Sequence, residues 1–318
     1  MSGRLVSPST MRSIVADWLG EPLIGDVTLG EVPGLRRVSR VSTATRSVIV
    51  KCDAGGNAVT AACHLAGLAD GLAAGSAAMI TAPLVVDAVH GIVVTADAGN
   101  RRLDLAAQQW GTGSASAVAA LRLAGTALAE VHRLNPSGLP RAGLGDHVEQ
   151  LIDPHPLDLA VELPEWADVI HAALQQIGRL VQGWQLSATA VVMHRDFHLR
   201  QLMIVDDRLA IVDWDLIAAG DPAFDVAFML TYLETHHLDT DGCLAEAFLQ
   251  GYLAQAPILD VEGFHLRLRG YRLFNLLRRA SRRHRLRDHG WHGQRMAMLQ
   301  LLADEMADEM TGRSVEAS

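Results

Sequence analysis

The chain almost lacks lysine. Of its 27 basic residues only Lys51 is a lysine, and all the others are arginine. A base-composition drift that turns replaceable lysines into arginine accounts for this pattern. A lysine that escapes such drift either survives by chance or does something arginine cannot. The ammonium is a compact point charge that fits between phosphates, whereas the guanidinium is a wide planar fork. Cysteine is also scarce. Cys52, Cys63 and Cys243 have no paired spacing, which excludes a zinc pattern and a disulfide framework and points to the reducing cytoplasm. No run of about 18 residues is apolar without charge, so no membrane span is expected. Asp17 and Trp18 interrupt the only candidate apolar run near the start, so no signal peptide is expected either.

What is present is a globular composition. The chain has 318 residues, 49% of them hydrophobic, enough for one large domain or two lobes with ample core. The net charge of −9 is uneven: His265 to Arg287 holds nine arginines and no acid, so the remainder stands at −18. That balance argues against nucleic acid as a bulk partner, although one basic helix exists.

The pattern along the chain changes near residue 98. Ser9 to Leu19 reads as a helix. Leu29 to Asp53 is β-branched and alternating, with a hairpin of Arg37–Val41 and Ser47–Lys51 around a Ser/Thr-rich turn. Gly55-Gly56-Asn57 breaks it, and Ala58 to Ala74 has helical spacing. Ala82 to Val89 and Ile92 to Ala96 are strand-like, and turn-rich Asp97 to Asn100 marks a lobe boundary. Residues 1–98 thus form a β-rich part with one helix, and 99–318 a mainly helical part. In the second part Ser114–Leu134 and Glu165–Trp184 read as helices, with a proline-broken, irregular stretch at Gly143–Pro164 between them. Ala190–Met193 and Leu209–Val212 read as short buried strands. Gly220-Asp221-Pro222 restarts a helix, with Asp221 suited to its N-cap, and helices continue through Leu302.

The chemistry concentrates in His194-Arg195-Asp196-Phe197-His198-Leu199-Arg200-Gln201 and Ile211-Val212-Asp213-Trp214-Asp215. Asp196 is a candidate base. An amide follows five residues on at Gln201, and a carboxylate twelve further at Asp213, where an apolar strand ends. This order suits phosphoryl transfer from a nucleotide: a base for a hydroxyl, then two oxygen ligands for magnesium. The plainer alternative is a β-hairpin with polar turns. Asp215 is either a solvated strand end or a direct participant. His198 reads as packing and bonding within the loop, and Arg195 as the partner of a local acid such as Asp225. His236-His237 with Asp239 and Asp241 reads as a solvated helix end rather than a metal site. In the basic helix, Phe264, Leu268, Tyr271, Phe274 and Leu277 form a core-facing stripe. Its arginines read as solvated or paired with the acidic body. A sharper alternative has Arg272 or Arg279 reaching an anionic substrate group; an arginine-lined pocket would argue against a polycationic substrate.

The layout resembles the two-lobed protein-kinase-like α+β fold, with a small β-rich N-lobe and a larger, mainly helical C-lobe. His194-x-Asp196-x-His198-x-x-Gln201 resembles the H-x-D-x-H-x-x-N pattern of the aminoglycoside phosphotransferase and choline kinase family. Ile211–Asp215, Gly220–Ala227 and Leu128–His132 are similar to that family's I-D-W-[DE], G-D-P-x-x-D-L-A and L-x-x-L-H segments. The resemblance implies a kinase that moves the γ-phosphate of ATP or GTP to a hydroxyl of a sugar, aminocyclitol, aminoglycoside or choline-like metabolite. It implies that Asp196 orients and deprotonates that hydroxyl, that Gln201 and Asp213 hold magnesium, and that Lys51 contacts the phosphates. His194 would brace the loop, Asp221 and Asp225 would be structural, and Asp215 and His198 would stand near the substrate. Three departures are evident. Gln201 replaces asparagine, moving its amide by roughly 1.5 Å. The Ser42–Thr45 turn has no glycine. The helix Ala58–Ala74 offers no glutamate to Lys51, only His64 and Asp70. These departures motivate an alternative, a pseudokinase-like binding module. A protein kinase is disfavoured, because only six residues separate Asp213 from Gly220, too few for a peptide-docking loop.

Overall fold

The structure is a computed structural model. It describes residues 5–111, 113–183, 190–236, 238–239, 241–258, 260–287 and 290–311. Helix α1 (Pro8–Leu19) starts where the Ser7 hydroxyl accepts the Thr10 N–H at 3.1 Å, and ends at Gly20. Its Met11, Val15 and Leu19, four residues apart, pack on Val41, Val48, Val50, Ile92 and Val94. Those valines and the isoleucine come from strands β2 (Arg36–Ser42), β3 (Ser47–Asp53) and β6 (Ile92–Ala96), which with β1 (Gly25–Val32) and β5 (Pro83–Asp87) form an antiparallel sheet in the order β1-β2-β3-β6-β5. Strand alternation turns Ile49 and Lys51 to the other face, toward helix α2 (Asn57–Asp70) and the cleft.

The first strand was not expected in full, because Gly25–Thr28 carry little apolar alternation. Its presence changes the reading of the sheet. Lys51 lies on the third strand, opposite Val38. The turn nearest to it is therefore Pro33-Gly34-Leu35, between β1 and β2, and not Ser42–Thr45 at the far end of the hairpin. Gly34 takes φ +73°, a conformation that favours glycine.

A short strand, β4 (Ala78–Ile80), leaves the first sheet and pairs in parallel with β10 (Arg208–Ile211), which also pairs with β9 (Leu202–Val205). A third small sheet joins β7 (Arg141–Ala142), β11 (Ala218–Gly220) and β8 (Val191–Met193). The two apolar strands of the motif region, β8 and β10, thus do not pair with each other. Each lies in its own sheet, and the catalytic motif crosses between them.

The helices are α3 (Leu103–Trp110), α4 (Ala115–His132), α5 (Leu144–Val148), α6 (Pro156–Glu162), α7 (Ala167–Gly183), α8 (Ala223–Thr235), α9 (Cys243–Leu253), α10 (Val261–Leu286) and α11 (Trp291–Thr311). The stretch expected to be irregular holds α5 and α6; a proline at the first position of α6 starts a helix rather than breaking one. Trp184, the expected end of α7, lies outside the described residues. Helices α4 and α9 cross at glycines. A Cβ on Gly125 would stand 2.1 Å from the Phe248 carbonyl oxygen, and one on Gly251 2.0 Å from that of Arg122. The expected stripe of α10, Phe264 to Leu277, is fully within the core. Among the described residues no helix is long and apolar enough to cross a membrane.

Candidate active site

Asp225, in the first turn of α8, organises the catalytic loop. Its two oxygens accept the backbone N–H groups of His194 and Arg195, each at 2.7 Å, and His132 at the end of α4 lies 3.3 Å away. The other nitrogen of His132 meets the Tyr252 hydroxyl at 2.8 Å. Burial opposes charge on Asp225, but the hydrogen bonds and charge of His132, with His194 beside it, outweigh burial and hold its pKa below the ordinary carboxylate value. This clamp keeps Arg195 at φ +67°, a left-handed conformation unusual for a side chain of that size. The expected side-chain pairing of Arg195 with Asp225 is instead a backbone bond; the guanidinium reaches toward the Leu216 carbonyl at 3.5 Å.

His194 joins the two halves of the motif. Its Nδ1 accepts the Asp196 N–H at 3.3 Å, so Nε2 carries the proton and donates to the Val212 carbonyl at 2.8 Å. The next residue, Asp213, also has positive φ, +65°, which turns its carboxylate back toward the loop. Gln201 completes the connection: its amide nitrogen stands 3.1 Å from Asp196 Oδ2 and 3.4 Å from Asp213 Oδ2.

Lys51 arrives from the sheet. Its Nζ donates to Asp213 Oδ1 at 2.5 Å and to Asp215 Oδ1 at 2.7 Å. Burial works against the ammonium, but Asp213 and Asp215 reverse that effect and raise its pKa. For Asp213 burial likewise opposes ionisation, and Lys51 foremost, with Arg36 and His194, lowers the pKa below the usual carboxylate range. Asp196 follows the same pattern, with His198, His194 and Gln201 overcoming its burial. Both carboxylates are ionised at neutral pH. Arg36 donates to Asp215 Oδ2 at 3.2 Å and lies 3.9 Å from Asp213. No sequence signal marked Arg36, one of many arginines; only its place beside the Gly34 turn reveals it.

Two of the expected departures therefore take another form. Lys51 is paired, with strand-end carboxylates rather than a helix glutamate, and a glycine-bearing turn stands at its end of the sheet. Asp215 is no free solvated strand end, since Lys51 and Arg36 both bind it. Asp213 and Asp215 offer oxygen donors, the type a hard divalent cation takes; Gln201 turns its amide nitrogen toward Asp213, so its amide would have to rotate to present its oxygen to such an ion. The described residues at the other suspected cluster have local tasks. Asp239 accepts the N–H groups of Leu244 and Ala245 at the start of α9, and Asp241 that of Cys243; His237 lies outside the described residues. Asp221 accepts the Ala223 N–H at 3.0 Å at the start of α8 and pairs with Arg267 at 2.8 Å.

Two cavities meet this group. One, of about 240 Å³, lies between the sheet and the motif; Val38, Ile49, Val93 and Met203 give it an apolar lining, and Lys51 and Asp213 border it. The other, of about 310 Å³, opens beside Asp196 and is lined by α8 and α10. His198 lines this second cavity next to Asp196. Its Nδ1 accepts the Arg200 N–H at 3.2 Å, its Nε2 faces Asp196 at 3.6 Å, and its ring stacks on Tyr232 with centroids 4.8 Å apart. Arg272, one of two arginines singled out for an anionic substrate, is committed to Glu234 and Glu305; Arg279, the other, lines the cavity.

An apolar cavity bordered by a paired lysine, with a carboxylate facing a separate cavity, suits a phosphotransferase of the kinase-like class. The chain belongs to the phosphotransferase enzyme family, whose model matches residues 35–271. The fold is similar to that of a thermostable variant of the aminoglycoside phosphotransferase APH(4)-Ia, with TM-score 0.65, 14% identity, and 94% of this chain and 99% of that one covered. It is similar to a choline/ethanolamine kinase family protein from Mesorhizobium loti, with TM-score 0.62, 14% identity, and 89% and 88% covered. It is also similar to the macrolide 2'-phosphotransferase MphH from Brachybacterium faecium, with TM-score 0.57, 15% identity, and 92% and 97% covered. Comparison with curated protein sequences gives no match.

Proposed function

We propose that the chain transfers the γ-phosphate of ATP or GTP to a hydroxyl of a small metabolite, with magnesium, in the cytoplasm. Residues 1–98 supply the nucleotide's roof and Lys51; residues 99–318 supply the catalytic loop and the acceptor site. The observation that carries this reading is the convergence of Lys51, Asp213, Gln201 and Asp196, linked in that order by hydrogen bonds of 2.5, 3.4 and 3.1 Å.

The acceptor hydroxyl approaches Asp196 from the second cavity. Its proton passes to the Asp196 carboxylate as its oxygen bonds to the γ-phosphorus. The bond from that phosphorus to the bridging oxygen breaks, and its electron pair leaves on the nucleoside diphosphate. Lys51 steadies the charge on the phosphates from the sheet side. Asp213 and Gln201 would hold magnesium, which would supply further neutralisation of phosphate charge. His194 holds the loop so that Asp196 and Asp213 face the same space. The ternary complex of APH(4)-Ia with ADP and hygromycin B contains a nucleotide and a small substrate together, as this reading requires here.

The test is nucleotide-dependent stabilisation with and without magnesium, followed by ADP or GDP release across hydroxylated metabolites and antibiotics. Stabilisation that needs magnesium, with acceptor-dependent release, is expected. The absence of both stabilisation at millimolar nucleotide and release with every acceptor would overturn the proposal.

A further inference from the structure

The cavity beside Asp196 has an unusual charge. Five of its lining residues are arginines, and Asp196 is its one carboxylate among the described residues. Other arginines of α10 meet acids: Arg267 meets Asp221, Arg272 meets Glu234, Arg285 meets Asp153 and Arg287 meets Glu162. Arg278 and Arg282, one helical turn apart on the same face, have no hydrogen-bonded acceptor among the described residues. Burial and then the charge of Arg282 push Arg278 down to about 10. Arg279, pushed to about 10 by burial, is fixed by its neighbours: its guanidinium lies 5.6 Å from the Tyr232 ring centre and 3.2 Å from His236 Nδ1. Tyr232 in turn is stacked between His198 and His236, at 4.8 and 4.0 Å. A third cavity, of about 650 Å³, continues past Arg278 and Arg282, where Asp153, paired with Arg285, also lines it.

Asp196 is the nearby counter-charge to Arg278 and Arg279, but one carboxylate against this many guanidinium groups leaves an excess of positive charge that becomes favourable around an anion. A planar guanidinium pair suits the forked oxygens of phosphate, sulfate or carboxylate. We propose that the acceptor is an anionic alcohol, with its phosphate, sulfate or carboxylate group held by Arg278 and Arg282 while its hydroxyl faces Asp196. The wall of stacked His198, Tyr232 and His236 rings covers its carbon skeleton. The same charge disfavours a polycationic aminoglycoside. This inference rests on the phosphotransferase reading for the role of Asp196. The bonds made and broken are those described above: the hydroxyl proton goes to Asp196, the phosphoryl group to oxygen, and the electron pair leaves with the nucleoside diphosphate.

The test uses matched acceptors on the full chain with magnesium-ATP: glycerol against glycerol 3-phosphate and glycerate, glucose against glucose 6-phosphate and glucose 6-sulfate, and hygromycin B. An anionic member is expected to exceed its neutral counterpart at least tenfold in kcat/KM, and the phosphate, sulfate and carboxylate arms tell which group is preferred. Arg282→Gln, at an exposed position, is expected to raise the acceptor KM at least tenfold while leaving the nucleotide KM unchanged. Equal rates for charged and neutral members, or preference for hygromycin B, overturns the proposal. A second arm measures Tm with sodium sulfate at saturating magnesium-ADP. Because sulfate stabilises proteins generally, the readout is the difference between wild type and variants. A smaller sulfate shift in Arg278→Gln and Arg282→Gln supports the anion site, and an identical shift overturns it. If magnesium-nucleotide neither stabilises the chain nor is consumed, the phosphotransferase reading has failed, and the sulfate arm still decides whether the arginines bind anions.

Discussion

Gln201 is the residue through which the carboxylates of Asp196 and Asp213 are linked. Its amide reaches both Asp196 and Asp213, at 3.1 and 3.4 Å, a span that its extra methylene over asparagine helps to bridge. The substitution that looked like a defect in sequence is therefore a connection. Gln201→Ala is expected to raise the magnesium concentration needed for half-maximal activity and to lower kcat about tenfold or more, measured by magnesium titration at saturating ATP. Asp196→Asn is expected to lower kcat by about 10²–10⁴-fold. Its magnesium-ATP stabilisation should persist, and a variant that keeps full activity would remove Asp196 as the base. Lys51 sits 2.5 and 2.7 Å from two carboxylates, a gap suited to an ammonium. Lys51→Arg, conservative in charge, is expected to raise the nucleotide KM roughly tenfold, because the planar fork cannot occupy the same point.

Among the elements, α8 and the α4–α9 pair hold the site in place. Asp225 links α8 to the loop and, through His132 and Tyr252, to α4 and α9. Asp225→Asn removes a buried charge from donors arranged to receive it and is expected to cost about 3 kcal/mol of stability by denaturant unfolding. Gly125→Ala drives a methyl against the Phe248 carbonyl, 2.1 Å from the ideal Cβ position. It is expected to destabilise by about 1–3 kcal/mol, with activity per folded molecule kept, because the crossing lies in the helical core rather than at the cleft.

For the whole molecule, acid sensitivity is built into the core. His147 is fully buried, stacks on Phe224 at 3.8 Å, and neither ring nitrogen has a partner. Burial foremost, with Arg195, lowers its pKa from 6.5 to about 3. The unfolded chain therefore binds a proton that the folded chain refuses, so stability is full above pH 6.5 and falls as the pH drops toward 3. The loss should reach roughly 3 kcal/mol by pH 4. His147→Phe keeps a ring against Phe224 and abolishes this contribution. Its unfolding free energy is expected to be no lower than wild type at pH 7 and higher at pH 5. Below about pH 4 the depressed carboxylates Asp196, Asp213 and Asp225 add to the loss, since each contributes stability above its unfolded pKa that disappears on protonation.

The chain's own order of residues determined a good deal. Helical spacing in α4 and α10, strand alternation around Lys51, and the His194–Asp215 motif are local, because periodicity and motif spacing act between near neighbours in the chain. What stayed hidden depends on contacts between distant segments. The strand β1 has weak alternation and is defined by pairing with β2, so the turn at Gly34 and the place of Arg36 could not be read in advance. Likewise β4 joins β10 with Ala78 opposite Leu209, 131 residues on, and Lys51 meets Asp213 across 162. The arginines of α10 show the division most plainly. Composition announced nine positive charges on one helix, but which of them face acids and which face an open cavity was decided by packing, because a helix distributes successive residues around all its sides and only its neighbours determine what each side meets.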